Sequence, residues 1–502
     1  MRIFEVKIPS IFIKETEVRK SRIWFIVLLA IVVRLYHIDF PVAGWHSWRQ
    51  ADTAAIARNF YENGFHILFP QIDWGGNAPG YVECEFQLYP FLVALLYWLF
   101  GQSDIWGRIL SIFFSVSAVY GVYLLTKKYI SENVALWSAF AYAIIPLNIY
   151  FGRAFMPEPA MLMFSVFGIY WFSEWLDKGA AIHFVLSLAC ISLAALLKIP
   201  ALYLGLPLFY LAWCKYDLQM PQKPMLWLFA FLVFLSVGLW YYHAHQIFLA
   251  SGLTFRIWEV GTDKWGNLDI IATPKFYNDV FFKSIAERHL TYAGFVVFVV
   301  GLFVKRKNRE EKLFDFWLIA IVIYIIIVAR GNQVHEYYQL PFVLPAVVFV
   351  GKAFDKYLPP GSFRATVREK TVTAWFFGFC LVALLVLSCL RYANFMRGEN
   401  ETSSLFRLGS SVQSLTERNA LVVAVDDGNP VVLYRSYRKG WNSSPEELDS
   451  LFLEAKKAQG AKFIIGEAAI FDGNSRQHIL QGLLAKYPNL ANDNRYVILK
   501  LE

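Results

Sequence analysis

The chain has 502 residues, of which 57% are apolar and 18% aromatic while only 17% are charged. One water-soluble core cannot bury that much apolar surface, so the composition excludes an ordinary soluble globule and indicates a polytopic membrane protein. The formal net charge of +8 gathers in short loops between apolar runs, with no basic stripe interleaved with aromatics, which excludes nucleic acid as a partner.

A bilayer crossing needs about 20 apolar residues. Such runs read at 22–40, 107–125, 133–151, 155–175, 225–247, 313–330 and 371–391, with shorter or proline-broken ones at 180–197, 200–214, 291–304 and 337–354. They predict an α-helical domain over 22–391 with about eleven transmembrane helices. Residues 1–21 read as a cytoplasmic N-terminus. Lys14, Arg19, Lys20 and Arg22 precede the first run and no small-residue cleavage site follows it, the pattern of a retained signal anchor. Lys127, Lys128, Lys215, Lys223, the basic stretch 305–309, and Arg364, Arg368 and Lys370 then all fall on the cytoplasmic side, with the C-terminus outside. Counting 86–101 as a crossing would move every later basic loop to the outer face, so that segment is expected to be interfacial. Large outer loops follow at 41–106 and 248–290. The five cysteines, at 84, 190, 214, 380 and 389, have neither a disulfide framework nor zinc-ligand spacing.

The composition changes after Arg391, and 392–502 reads as a small soluble α/β domain on the outer side. Buried strands are predicted at 421–425, 462–465 and 496–499, and helices at 444–459 and 475–486. Ser444-Pro445-Glu446-Glu447 supplies a capping box for the first of these helices.

On this topology the ionisable residues collect at the outer ends of the spans: His46, Arg49 and Asp52, then Glu83 and Glu85, Arg153 and Glu158, Lys198, and Arg330, His335 and Glu336 beside Tyr337 and Tyr338. Carboxylates can take a proton from an acceptor while cations neutralise a departing anion. Each residue also has a local alternative. Ser47-Trp48-Arg49-Gln50 is itself a capping-box pattern, and Arg49 and Asp52 are spaced for an ion pair along one helix face. Pro159 disfavours helical backbone at Glu158, whose carboxylate would favour a helix N-terminus; Lys198 ends a span just before the helix-breaking Pro200.

In order, Trp45-His46-Ser47-Trp48-Arg49-Gln50-Ala51-Asp52-Thr53, Leu88-Tyr89-Pro90, Gly101 followed by Arg108, Tyr150-Phe151-Gly152-Arg153-Ala154-Phe155-Met156-Pro157-Glu158-Pro159, Leu196-Leu197-Lys198-Ile199-Pro200 and His335-Glu336-Tyr337-Tyr338-Gln339-Leu340-Pro341 form a series. That series resembles bacterial membrane glycosyltransferases of the GT-C class, which includes protein O-mannosyltransferases and the lipid A aminoarabinose transferase. The likeness covers most of 22–355, and a soluble outer C-terminal domain is common in the class. It implies a GT-C-like fold in the bacterial inner membrane and transfer of a sugar from a polyprenyl-phosphate donor to a glycan, glycolipid or protein acceptor on the outer face, by inverting displacement. It also implies a first-loop carboxylate as general base, here Asp52. The acidic pair that commonly opens this helix is replaced by Arg49 and Gln50, which leaves Glu83, Glu85 and Glu158 as other bases. Glu158 stands where the class often has Asp and would orient acceptor or donor. Lys198, Arg153, His335 and Tyr338 would neutralise the leaving lipid phosphate, with His46, Arg49, Glu85 and Tyr337 as further substrate-binding residues. Some members use a divalent metal; no ligand cluster stands in this sequence, and no cofactor is expected. A lipid-linked sugar flippase is the alternative, but it would spread ionisable groups through mid-span and pair broken helices in two halves.

Overall fold

The computed structural model describes residues 15–256, 264–359, 372–396 and 404–501. Lys14, Arg364, Arg368 and Lys370 lie outside the described residues, as do the side chains of Arg19 and Lys20. The first half of the chain forms helices α1 (Glu15–Leu35), α2 (Ser47–Asn63), α3 (Leu88–Phe100), α4 (Asp104–Tyr129), α5 (Glu132–Ile144), α6 (Pro146–Phe151), α7 (Glu158–Lys178), α8 (Ala181–Leu197), α9 (Gly205–Tyr216) and α10 (Pro224–Ser251). Further helices at Thr291–Leu302, Leu313–Ile327, Leu340–Tyr357 and Val372–Phe395 complete the helical body. Among the described residues, Asp104–Tyr129, Pro224–Ser251, Glu336–Tyr357 and Val372–Phe395 are each long and apolar enough to cross a bilayer. Pro274–His289 and Thr291–Leu302 make a further broken span, bent by 106°, if taken together. The protein is a multi-pass membrane protein.

Local chemistry sets the helix ends. Ser131 caps α5 by accepting the Val134 amide at 3.3 Å, with Glu132 in the first turn, while Lys127 and Lys128 close α4; each charge opposes the helix dipole. α4 packs against α5 and α7, α7 lies along α8, and α5 lies along Leu340–Tyr357.

The apolar run at 133–151 is not one helix, because Pro146 ends α5 and starts α6. Proline has no amide hydrogen, so the Tyr142 carbonyl loses its helical donor. The side-chain amide of Asn148 donates to that carbonyl at 2.6 Å instead. Arg34, fully buried on α1, donates to the Ala143 carbonyl at 3.0 Å, to Asn148 O at 3.3 Å and to Ser115 Oγ at 2.9 Å. Gly152 makes room for it: a Cβ there would stand 2.6 Å from the Arg34 Nε. One buried guanidinium thus ties α1, α4 and the break in α5–α6, and so aims the chain segment that leads to Glu158.

Residues 404–501 carry a four-stranded mixed sheet of order β2-β1-β3-β4, from β1 (Leu421–Val425), β2 (Gly440–Ser443), β3 (Ala461–Glu467) and β4 (Tyr496–Lys500). β1 runs parallel to β2 and β3, and β4 runs antiparallel to β3. The short, half-polar β2 has no apolar signature in the sequence. The capping box at Ser444 and Glu447 is present but closes only a 3-10 turn, Pro445–Glu447; the helix itself starts at Ser450 with Asp449 as its cap. This region sits on the first loop. Arg58 forms an ion pair with Asp73, donates to Tyr434 O at 3.0 Å, and lies over the Tyr434 and Tyr437 rings at 5.0 and 4.7 Å. Asp104 accepts from Tyr434, from Arg435 at 3.1 Å and from the Val42 amide at 3.0 Å.

Asn148→Ala is expected to leave the Tyr142 carbonyl without a donor and to cost about 1–3 kcal/mol, read as a lower midpoint of thermal unfolding in detergent. An unchanged midpoint would contradict the repair.

Candidate active site

The residues at 45–53 fold into a tight entry to α2. His46 sits at the N-cap with φ 56°, a left-handed backbone that side chains seldom adopt, and its carbonyl accepts the Arg49 and Gln50 amides. From Arg49 to Phe60 every residue of α2 is buried, so its polar side chains must find partners inside the protein. Arg49 Nη2 donates to Glu85 Oε2 at 3.1 Å; Lys198 Nζ donates to Glu85 Oε1 at 3.2 Å and stands 3.0 Å from Glu158 Oε1. The order is cation, carboxylate, cation, carboxylate. Each member comes from a different segment: α2, the loop before α3, the end of α8 and the start of α7. Lys198 leaves the helix with extended backbone (φ −152°), and a 3-10 turn at Ile199–Leu204 carries Pro200 onward.

The carboxylates of this site differ in what surrounds them. Burial alone would raise the Glu85 carboxyl, but Arg49 and Lys198 hold it well below the usual range. Asp52 is fully buried; Trp74 Nε1 donates to its Oδ1 at 3.0 Å and its Oδ2 has no donor among the described residues. Burial pushes its carboxyl up to about 7, with the Trp74 hydrogen bond and Arg49 as the opposing influences. Glu158, 1% exposed, has the Lys198 ion contact but, among the described residues, no aligned hydrogen-bond donor on either oxygen. His46 and His335 are both pushed down to about 4, chiefly by burial, so both imidazoles are neutral at pH 7. His46 Nε2 then donates to Glu336 Oε2 at 3.1 Å, and Arg288 pairs with the same carboxylate.

Two cavities meet here. The larger, about 580 Å³, is walled by Arg49, Trp74, Glu85, Lys198 and Phe255, with Gly428 and Asn442 from the sheet-bearing region also on its wall. The smaller, about 80 Å³, opens between Glu85, Glu158, Lys198, Tyr203, Tyr337 and Tyr338. Beyond Ala201 an apolar groove of about 250 Å³ runs between α7, α8, α9 and α10, past Phe172, Leu204, Phe229 and Val233. Among the described residues no cluster of His, Cys, Asp and Glu could hold a metal ion.

Residues 87–242 match the family described as dolichyl-phosphate-mannose-protein mannosyltransferase. The whole fold is similar to ArnT from Cupriavidus metallidurans bound to undecaprenyl phosphate, with a TM-score of 0.65 at 13% identity over 96% of this chain and 98% of that one. The chain shares the fold of that structure. It is likewise similar to the archaeal oligosaccharyltransferase AglB from Archaeoglobus fulgidus in complex with an inhibitory peptide and a dolichol-phosphate, with a TM-score of 0.60 at 13% identity over 97% of this chain and 74% of that one. An uncharacterized protein of Aquifex aeolicus is 26% identical over 319 residues, 58% of this chain and 71% of that one. The family match is confined to residues 87–242, and the likeness to the two solved structures is one of fold.

Most of the residues singled out in the sequence converge, and several do so differently from expectation. Arg49, Glu85, Glu158, Lys198, His335, Tyr337 and Tyr338 line the two joined cavities. His46 lies just behind, its ring 5.0 Å from that of Tyr337 and 5.7 Å from that of His335. Asp52 is one side chain further back, behind Trp74. Arg49 pairs with Glu85 and not with Asp52, because the neighbouring loop offers a buried carboxylate closer to its fork. Gln50 is no cap: its Nε2 donates to Trp45 O at 3.0 Å and its Oε1 accepts the Phe155 amide at 3.1 Å, which stitches α2 to the loop before α7. α7 begins at Glu158 itself, since Pro159 in the first turn has no helical amide bond to lose. Glu83 is held by His245 at 3.2 Å and by Thr254, away from the cavities. Arg153 lines a separate cavity and does not join Lys198. Lys264 and Trp265, also on the cavity wall, were missed; the aromatic loop around them was the available signal.

Glu85→Gln is expected to strand the Arg49 charge, leave Lys198 with Glu158 alone, and cost about 3–5 kcal/mol. Added to Arg49→Gln, it should cost less than the sum by between about 0.5 and 3 kcal/mol. Strict additivity in denaturant titrations would show that the chain of charges is not coupled.

Proposed function

We propose that the protein transfers a sugar from a polyprenyl-phosphate donor to a glycan, glycolipid or protein acceptor on the outer face of a bacterial inner membrane. In this reading about eleven spans over 22–391 run from a cytoplasmic N-terminus, and 392–502 forms a domain on the outer side. The observation that carries it is the continuity between a cation-bearing cavity at Lys198 and an apolar groove, which meet at the 3-10 turn Ile199–Leu204. A polyprenyl phosphate has that same polarity: a long hydrocarbon chain ending in a phosphate. The ArnT structure is bound to undecaprenyl phosphate and the AglB structure is in complex with a dolichol-phosphate.

The tail lies in the groove, and Lys198, with the Tyr337 and Tyr338 rings 5.9 Å from its ammonium, faces the phosphate. The acceptor heteroatom attacks the anomeric carbon, the bond from that carbon to the phosphate oxygen breaks, and the lipid phosphate leaves with the electron pair. Configuration inverts because attack and departure are on opposite faces. The acceptor proton goes to Asp52, whose Oδ2 has no donor among the described residues and which the acceptor reaches once the Trp74 ring shifts aside. A base whose pKa lies near the working pH is the most effective, and the fully buried Asp52 has been pushed into that range, whereas Glu85 is held too acidic by its two cations. Glu158 orients Lys198 and the acceptor.

Asp52→Asn is expected to lower turnover by about 10²–10⁴-fold with expression intact, and Glu158→Gln to lower it less, in an assay with purified protein and polyprenyl-phosphate sugars. Near-normal transfer by Asp52→Asn would remove it as the base. Because the charged form of Asp52 is the base and burial favours the neutral form, kcat/KM should fall as pH drops below about 7 and level off above it. A profile flat between pH 5 and 8 (roughly the span this carboxyl crosses) would contradict the assignment.

A further inference from the structure

A second cavity of about 470 Å³, within the range of small-molecule sites, shares no wall residue with the two already described. Four arginines line it: Arg108 from the start of α4, Arg153 from the loop before α7, Arg288, and Arg391 from the last turns of Val372–Phe395. Trp45 and Phe395 supply apolar wall, and Arg288 lies over the Trp45 ring at 5.9 Å.

The charges on this wall do not balance. Arg288 pairs with Glu336 and Arg391 with Glu287. Arg108 and Arg153 are 3% and 1% exposed, and among the described residues neither meets a carboxylate. Arg108 Nη2 donates to Pro41 O at 3.1 Å; Arg153 donates to the His37 carbonyl and toward Met396 Sδ at 3.1 Å; the Nε of each has no acceptor. Carbonyls and a thioether satisfy hydrogen-bond geometry but leave the charge. Two buried guanidiniums with no paired carboxylate, Asp104 acting on Arg108 only from further off and itself paired with Arg435, are costly unless an anion enters the space between them.

We propose that this cavity is a second anion site, which binds a phosphate group through the forks of Arg108 and Arg153, with Arg288 and Arg391 at its mouth. Guanidinium forks match phosphate oxygens in pairs, and four of them around one space suit a tetrahedral group with several oxygens. The phosphate is carried either by the headgroup of an anionic phospholipid or free in solution. Arg288 links the site to the active centre, since it shares Glu336 with His46.

The test uses the full chain in detergent and thermal-shift titrations with dioctanoyl phosphatidylglycerol, dioctanoyl phosphatidylcholine and inorganic phosphate. Saturable stabilisation by phosphatidylglycerol and not by phosphatidylcholine is expected, with apparent affinity at least about tenfold weaker in Arg153→Gln and in Arg391→Gln and unchanged in Lys198→Gln. Stabilisation by inorganic phosphate with the same variant pattern supports the site with the free ion as its source. Arg391 is partly exposed and its replacement keeps the test usable if Arg153→Gln fails to fold. No saturable shift with either anion, or shifts undiminished in the variants, overturns the proposal.

Discussion

The alternation Arg49, Glu85, Lys198, Glu158 is the constraint on which the site depends. None of the four can be buried alone, since an unpaired charge in a low-dielectric interior costs several kcal/mol or more, roughly a large part of a protein's net stability. Each is therefore tied to a neighbour from another segment, and the segments are fixed relative to one another as a result. The backbone takes part: the Phe86 amide donates to Leu196 O at 3.0 Å and so holds Glu85 beside the end of α8. Arg34 does similar work in the helical body, where it donates to the Ala143 and Asn148 carbonyls on either side of the break at Pro146. Buried cations here are used to bind broken helices and loops together.

Once the charges are placed, the carboxylates separate by environment. Glu85 is committed to two cations and is unsuited to accept a proton. Asp52 is fully buried with one hydrogen bond, and its other oxygen has no donor among the described residues, which leaves it able to change charge near neutrality. Glu158 meets Lys198 but has no aligned donor, so its geometry is free to change when a ligand arrives. The region 404–501 bears on the same space, because Arg58 and Asp104 hold it on the first loop and Asn442 reaches the cavity wall.

Much of this was legible in the sequence wherever a single physical rule dominates. Apolar runs marked the helical segments, and the outer-end polar residues from Arg49 to Tyr338 were identified because ionisable side chains beside a membrane are costly to keep. Partner choice was not legible. Arg49 and Asp52 have ideal spacing on one helix, yet the tertiary fold brings Glu85 within 3.1 Å and the local pair is not made. Gln50 fits a capping box by type and spacing, but the left-handed backbone at His46 turns that role away and the side chain reaches Phe155. Arg153 stands five residues before Glu158 and was grouped with it, whereas the turn between them sends the two to different cavities. The capping box at Ser444 is present, but it opens only a 3-10 turn, and Asp449 offers the following helix its own cap.

The central claim is that Lys198 and the groove beyond Ala201 form one amphipathic site for a lipid carrying a phosphate. The most direct measurement is the thermal stability of the purified chain titrated with undecaprenyl phosphate. A ligand at 100 times its dissociation constant adds about 2.7 kcal/mol, so the account predicts a saturable rise in unfolding temperature that is lost in Lys198→Gln. No rise, or a rise of the same size in Lys198→Gln, would contradict it.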